Sequence, residues 1–193
     1  MQKIFIDPGH GGNDNGAAWG EKYDYVEEDD LNLIISFLLR CELLLLDQFS
    51  IKLSREKDEF VSLRNRTNNA NNWGADIFVS IHADAFHQKT ARGISSHIHP
   101  HCSPNSKILA TCIQDGLSKR FPDHINRGIK ESNFHVLRET RMPAILIECE
   151  FISNPASRRF LKEPSNQLEL ARNISKGIRS YFKTLGGRHE KNN

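Results

Sequence analysis

Lys3-Ile4-Phe5-Ile6-Asp7-Pro8-Gly9-His10-Gly11-Gly12 opens with a short apolar run that stops in a glycine-rich turn. Two later stretches have the same build. Asp76-Ile77-Phe78-Val79-Ser80-Ile81 ends in His82, and Ala144-Ile145-Leu146-Ile147 ends in Glu148. Continuous apolar runs of this length suit strands buried on both faces, as in a parallel sheet covered by helices. In such sheets ligands bind outside the carboxyl ends of the strands, where the loops converge on one crevice. Two histidines and a glutamate, distant in sequence, are therefore expected to meet in space as a metallohydrolase site.

Outward from these runs, strand-like and helical patterns alternate nearly throughout, the mark of a mostly parallel sheet between helices. The pattern predicts a well-buried helix over 29–47, a strand over 50–54 and a weaker helix over 61–73. A strand over 93–99 should lie near an edge. Ser103-Pro104 then caps a helix carrying Ile108, Leu109, Cys112, Ile113 and Leu117 on one stripe. Further strands are expected over 134–138 and 144–148. The last helix should start near Ser165, with Asn166 and Glu169 as a capping box, and stop at Gly186-Gly187. The expected fold is a single α/β domain with a central six-stranded, mostly parallel twisted sheet flanked by helices. Residues 1–187 form one catalytic unit in this reading, and 188–193 a disordered tail.

A chain of 193 residues suffices for one such domain with a substantial core. Its net charge of +2 is too mild to argue for nucleic acid. No apolar stretch is long enough to span a bilayer; the run Leu43 to Leu46 is the longest of leucine. No secretory signal precedes the first strand, so the expected route is synthesis in the cytoplasm and action after release. Secretion with the signal outside this stretch is the alternative. The four cysteines show no C-x-x-C pairing and are expected as reduced thiols, not a zinc ribbon. No heptad or exposed apolar stripe argues against a monomer.

Each candidate site residue has a bland reading beside the functional one. Glycines around His10 let the backbone turn and leave the imidazole above the sheet. A plain strand-end turn is the alternative, and a phosphate loop is disfavoured because no Gly-Lys-Ser/Thr follows. The acidic cluster Glu27-Glu28-Asp29-Asp30 suits capping and dipole complementation at a helix start, or one of its carboxylates turns inward to a metal. His82 is a ligand or a satisfied core histidine. Glu148, expensive to bury alone, needs a metal, a catalytic water, or an arginine such as Arg66, Arg138 or Arg141. His97, His99 and His101 alternate and could chelate a second metal; a histidine-bearing edge-strand surface is the preferred reading. No H-E-x-x-H motif is present, which argues against thermolysin-like chemistry.

Five stretches together carry a family resemblance across about residues 3–185. They are Ile6 to Gly12, Glu28-Asp29-Asp30-Leu31-Asn32-Leu33, Phe78 to Ala83, Asn133-Phe134-His135-Val136-Leu137-Arg138, and Pro143 to Glu148 continuing through Phe151-Ile152-Ser153-Asn154-Pro155. The chain resembles the zinc-dependent N-acetylmuramoyl-L-alanine amidases of the Amidase_3 type, which include cell-separation amidases, spore-cortex amidases and phage endolysins. The resemblance implies one Zn2+ per chain held by His10, Glu28 and His82, with Glu148 as catalytic base. It also implies that Asn133 and His135 line the substrate groove, His135 steadying a developing oxyanion.

The substrate so implied is peptidoglycan, cut between N-acetylmuramic acid and L-alanine of the stem peptide. No nucleic acid or membrane partner is implied. The absent signal and wall-binding module favour a phage or mother-cell enzyme over a cell-separation one. Two residues depart from the family pattern. Glu150 stands where glycine is usual, which would set a second carboxylate near Glu148, and Asp84 replaces a commoner asparagine. The rival enzymes are a zinc peptidase or deacetylase on a similar scaffold. A catalytically silent wall-binding module is the rival from another class, and it would lack a ligand or Glu148.

Overall fold

Side-chain parity along the three apolar strands divides the protein into two unequal layers around one sheet. The structure, a computed structural model, describes residues 1–189. The sheet is built from β1 (Gln2–Pro8), β4 (Phe49–Leu53), β5 (Ile77–Asp84), β6 (Ile94–Ile98), β7 (Asn126–Glu131) and β8 (Ala144–Phe151), in the order β4-β1-β5-β8-β6-β7. The first four of these positions run parallel; β6 is antiparallel to β8, and β7 is parallel to β6. A two-residue hairpin, β2 (Ala18–Trp19) with β3 (Val26–Glu27), stands in the loop after β1.

One face of the sheet presents Ile4, Ile6, Ile77, Val79, Ile81, Ile145, Ile147 and Cys149 to the main core. Three long helices cover it: α1 (Glu28–Leu44), α3 (Pro104–Arg120) and α6 (Pro164–His189). Helix α1 buries the stripe Leu31, Ile35, Leu39 and Leu43, while Ile34 and Leu44 stay exposed, so its burial is one-sided and not all-round. The opposite face presents Phe5, Phe78, Ala144 and Leu146 to a smaller cluster. Among the described residues only α2 (Leu63–Trp73) and the one-turn α4 (His135–Arg138) pack there, through Ala70, Val136 and Leu137. These elements are too short to roof the whole face. The carboxyl ends of β1, β5 and β8 are left open on that side.

The six-stranded, mostly parallel sheet is as expected, but one of its members differs. Residues 134–138, read as a strand, form α4 instead, with Phe134 extended before it. The true sixth strand is β7, whose Asn-Arg-Gly-Ile-Lys-Glu has no apolar run because it is the sheet edge. That places β6 between β8 and β7, one strand in from the edge and so near it as expected. A helix absent from the sequence reading, α5 (Pro155–Lys162), follows β8; Asn154 Oδ1 caps it by accepting from the N–H groups of Ala156 and Ser157 at 2.9 and 3.1 Å. Helix α6 begins at Pro164 and runs through Gly186-Gly187, since glycine weakens a helix by only about 1 kcal/mol without forcing its end. Residues 188 and 189 of the expected tail thus continue α6, and 190–193 lie outside the described residues.

Glu150 explains itself at this level. The β5–β8 register shifts between His82 and Asp84, and Glu150 sits in that irregularity with φ +154°. Its carboxylate is 1 % exposed and does not join Glu148. Oε2 accepts from Gly93 N–H (2.6 Å), Phe151 N–H (3.1 Å) and Ser157 Oγ (2.8 Å), and Oε1 lies 2.7 Å from His124 Nδ1. Burial pushes this carboxyl up, but the hydrogen bonds from His124, Gly93, Ser157 and Phe151 outweigh it and hold the group below its ordinary range. Glu150→Ala is expected to cost about 3 kcal/mol of stability, the scale for breaking a buried pair. A depressed folded pKa means the wild-type advantage is full above pH 4.5 and fades as pH falls through the lower folded value. Urea titrations of both proteins across that range should show the midpoint gap closing on the acid side.

Candidate active site

Alternation along the strands sends Asp7, Ser80, His82, Leu146 and Glu148 to the thinly covered face. The registers Asp7↔Ser80, Ser80↔Leu146 and His82↔Glu148 set them side by side. A cavity of about 330 Å³ opens above them. Its polar side includes His10, Asp14, Arg66, His82, His135 and Glu148; its apolar side is Phe60, Val61, Leu63, Phe134, Val136 and Leu146.

His10, Glu28 and His82 each place one donor atom within 4.8 Å of the others. Glu28 is the first residue of α1 and reaches round the strand ends to this face. Its Oε1 lies 2.9 Å from His82 Nδ1 and 3.3 Å from His10 Nε2, and accepts from Asn32 Nδ2 at 3.3 Å; Oε2 accepts from Ala17 N–H at 3.0 Å. Burial opposes its charge, yet the two histidines hold the carboxyl well below the ordinary range. His10 Nδ1 is 2.9 Å from Asp14 Oδ1, which leaves Nε2 facing Glu28. Among the described residues no other cluster of three donors of this kind occurs.

The loop carrying His10 is held from below by two buried arginines. Arg66 Nη1 donates to Asp7 Oδ1 at 2.8 Å and also to the Pro8 carbonyl, and Nη2 donates to the His10 carbonyl at 2.6 Å. Arg55 donates to the carbonyls of Pro8 (3.2 Å), Gly9 (2.9 Å) and Asp29 (2.7 Å), tying the loop to the start of α1. Burial alone would raise Asp7, but Arg66 and a hydrogen bond from Ser54 keep it below the usual carboxylate range. His10 adopts φ +59°, a conformation few non-glycine residues tolerate without such restraint. Arg66, a candidate partner for Glu148 on sequence grounds, is thus paired with Asp7 instead, and Arg55 is a structural residue that no sequence motif marks. The signal available for Arg55 was position, two residues after the strand β4 that pairs with β1.

Glu148 has no arginine. Arg66 is taken by Asp7 and Arg138 by Asn133 and Glu139; no cation lies within ion-pair distance of Glu148 among the described residues. Its Oε2 is buried with no hydrogen-bond partner, and so is Nε2 of His135 in the same cavity. Burial, then the charges of Glu28 and Asp84, push the Glu148 carboxyl well above its ordinary value, against a smaller pull from Lys130. Asp84 therefore acts on the site through charge, its own Oδ1 accepting the Ala85 N–H at 2.8 Å. Asn133 stands outside the cavity lining, exposed, with Oδ1 engaged by Arg138 at 2.7 Å.

The histidine row does not form a surface. His97 is buried inside the sheet, 3.2 Å from Ser95 Oγ and 2.8 Å from Ser132 Oγ, against the Phe134 ring. Burial and the nearby Lys130 push it down to about 4, so it is neutral at physiological pH. His99 and His101 follow the end of β6 in a turn. The cysteines are all free, with Cys149 in the core and Cys41 exposed.

An α/β sheet that gathers acid–base side chains and a cavity at the carboxyl ends of its strands has the build of an enzyme. Comparison with known proteins specifies which kind. The family profile described as N-acetylmuramoyl-L-alanine amidase matches residues 4–180, and the chain belongs to that family of hydrolases. It is 40% identical over 185 residues to the sporulation-specific N-acetylmuramoyl-L-alanine amidase of Bacillus subtilis (strain 168), covering 94% of this chain and 69% of the relative. The crystal structure of an N-acetylmuramoyl-L-alanine amidase from Clostridium difficile 630 superposes with a TM-score of 0.89 at 39% identity, covering 94% of this chain and 97% of that one. The catalytic domain of the amidase CwlV from Bacillus (Paenibacillus) polymyxa var. colistinus gives 0.88 at 31% identity, with 95% and 99% covered. No helix among the described residues is long and apolar enough to cross a membrane.

Two glycines are required here by close approach. A Cβ on Gly9 would lie 2.2 Å from His82 Cε1, and one on Gly16 2.6 Å from both Glu28 Oε2 and His10 Cδ2. Gly9→Ala is expected to keep the far-UV spectrum but lower turnover on peptidoglycan about 10²-fold, the scale for a displacement near 1 Å at a reacting centre. Full activity in that variant would mean His82 can move without consequence.

Proposed function

We propose that this chain hydrolyses the amide between N-acetylmuramic acid and the L-alanine of the stem peptide, with His10, Glu28 and His82 holding zinc. The observation that carries the reading is the orphaned Oε2 of Glu148, buried in the same cavity as the three converging donors. Two imidazoles and one carboxylate with room beside them are a donor set suited to catalytic zinc. Zinc bound there supplies Lewis acidity, polarising an amide carbonyl and lowering the pKa of water toward roughly 7.

The chain's own residues do the rest. Glu148, raised by burial, is a strong enough base when ionised to take the proton of the attacking water and a good enough acid to return it to the departing amine. His135, with a buried and unpartnered Nε2 lining the cavity, suits a donor to the developing oxyanion. Arg66 and Arg55 fix the His10 loop, and Asp14 orients its ring. Phe60, Leu63 and Phe134 form an exposed apolar lip on which uncharged parts of the substrate can lie.

Mass spectrometry of digested peptidoglycan tests the bond. Intact stem peptides with a free L-alanine amine, beside peptide-free glycan, are expected; new ends inside the peptide would assign the site to a peptidase. In the same assay Glu148→Gln should retain its metal yet lose about 10²- to 10⁴-fold in turnover. Undiminished turnover would remove Glu148 from this role.

Metal uptake should depend on pH through His10. Burial lowers its pKa, but Glu28 and Asp14 more than reverse this, and the group is pushed up to about 9 in the metal-free chain. A metal must displace that proton. Zinc binding is therefore expected to release protons below that pH, with apparent affinity rising about tenfold per pH unit. Calorimetry in buffers of different ionisation enthalpy reads the released protons directly; uptake without release would exclude His10 as a ligand.

A further inference from the structure

The mechanism leaves one charged group near Glu148 without work. The register runs His82↔Glu148↔Ser95↔Gly128 in one row across the sheet and Ser80↔Leu146↔His97↔Lys130 in the next. Lys130 thereby sits on the same face as the triad and Glu148, at the open edge strand β7. It is half-buried, and among the described residues it makes no side-chain hydrogen bond and no ion pair.

A half-buried lysine lays its stem on the sheet and keeps its ammonium in solvent, where an unpaired head is free to take an anion. The two carboxylates whose charge it feels, Glu148 and Asp84, are both beyond ion-pair distance. Arg127 stands three residues before it, at the bulge where the β6–β7 register shifts. Its guanidinium lies 4.9 Å over the Phe151 ring and donates to the Arg92 carbonyl at 3.3 Å, so it too lacks an acidic partner among the described residues. Two cations without acidic partners thus stand on β7 just outside the cavity lining, the charge of Lys130 reaching Glu148 and that of both reaching Asp84. Glycan and acetamido groups offer them no charge. A stem peptide does, wherever a carboxylate of the residue after L-alanine is left free.

We propose that Lys130, with Arg127 beside it, forms a carboxylate-binding subsite that reads a free carboxylate on the stem peptide one residue beyond the alanine. The inference rests on the amidase reading and adds to it a specificity for anionic over amidated stems. An ammonium held at the sheet edge binds a carboxylate through a charge-assisted hydrogen bond; a carboxamide at the same place offers only a neutral one, roughly half as strong.

The test uses two soluble muramoyl peptides that differ only in whether the α-carboxyl of the second residue is free or amidated. With the zinc-loaded wild type, kcat/KM should favour the acid about tenfold. Lys130→Met should bring that ratio toward one, the acid losing most, and Lys130→Arg should restore most of it. A wild type that cleaves both equally overturns the proposal. So does a Lys130→Met variant that loses the same factor on both, which would make Lys130 a charge supporting Glu148. Cleavage of neither peptide, together with no muramoyl-L-alanine end groups from whole peptidoglycan, overturns the amidase reading and this subsite with it.

Discussion

The site depends first on the carbonyls of Pro8, Gly9 and His10 being held by two buried guanidinium groups. A loop that leaves a strand and carries His10 at φ +59° has carbonyl groups pointing into the protein with no ladder to pair them. Arg55 and Arg66, 2 % and 3 % exposed, satisfy all three. Buried charge of this kind is tolerable only when paired, and Asp7 at the end of β1 supplies the carboxylate for Arg66. Arg55 extends the arrangement to Asp29, so that α1, which carries Glu28, is fastened to the loop that carries His10. The His10 ring and the Glu28 carboxylate are thereby brought to one point, 3.3 Å apart.

The unequal covering of the sheet decides where chemistry can happen. Three long helices close one face completely. On the other, eleven residues of α2 and four of α4 leave the ends of β1, β5 and β8 open. The same strand alternation that feeds Ile77, Val79 and Ile81 into the core turns Ser80, His82 and Glu148 into the opening. Core and site are thus two faces of one pattern.

Glu148 and Glu150 show how environment divides two carboxylates on one strand. Glu150, offset by the bulge, receives four hydrogen bonds and is held ionised as part of the scaffold. Glu148 keeps one oxygen buried and unpartnered, with Glu28 and Asp84 adding unfavourable charge. The first is spent on stability, the second is available to bind and release a proton. Glu150 therefore adds an anchor to His124 and Ser157 and does not join Glu148 in the cavity.

Much of this was legible along the chain. Apolar runs ending in His82 and Glu148, and a glycine-rich turn at His10, predict both the parallel strands and the end of the sheet where they converge, because strand periodicity and burial are local properties. The number of strands was legible too, though not their identity. Asn126–Glu131 pairs only as an edge, where no apolar signal is needed, and Phe134 to Arg138 has a strand's composition but turns into α4 to cover Phe5 and Phe78. Glu28 could not be separated from its acidic neighbours by physics alone, since helix-start acids are common; its inward turn is decided by contacts with Ala17, Asn32 and His82. The same holds for Arg55, Arg66 and Lys130. Residue type and periodicity determined the sheet, its buried face and the candidate acid–base groups. Which charges are paired, and which are left free beside Glu148, was decided only by the tertiary structure, because pairing depends on distances between segments that the chain order does not contain.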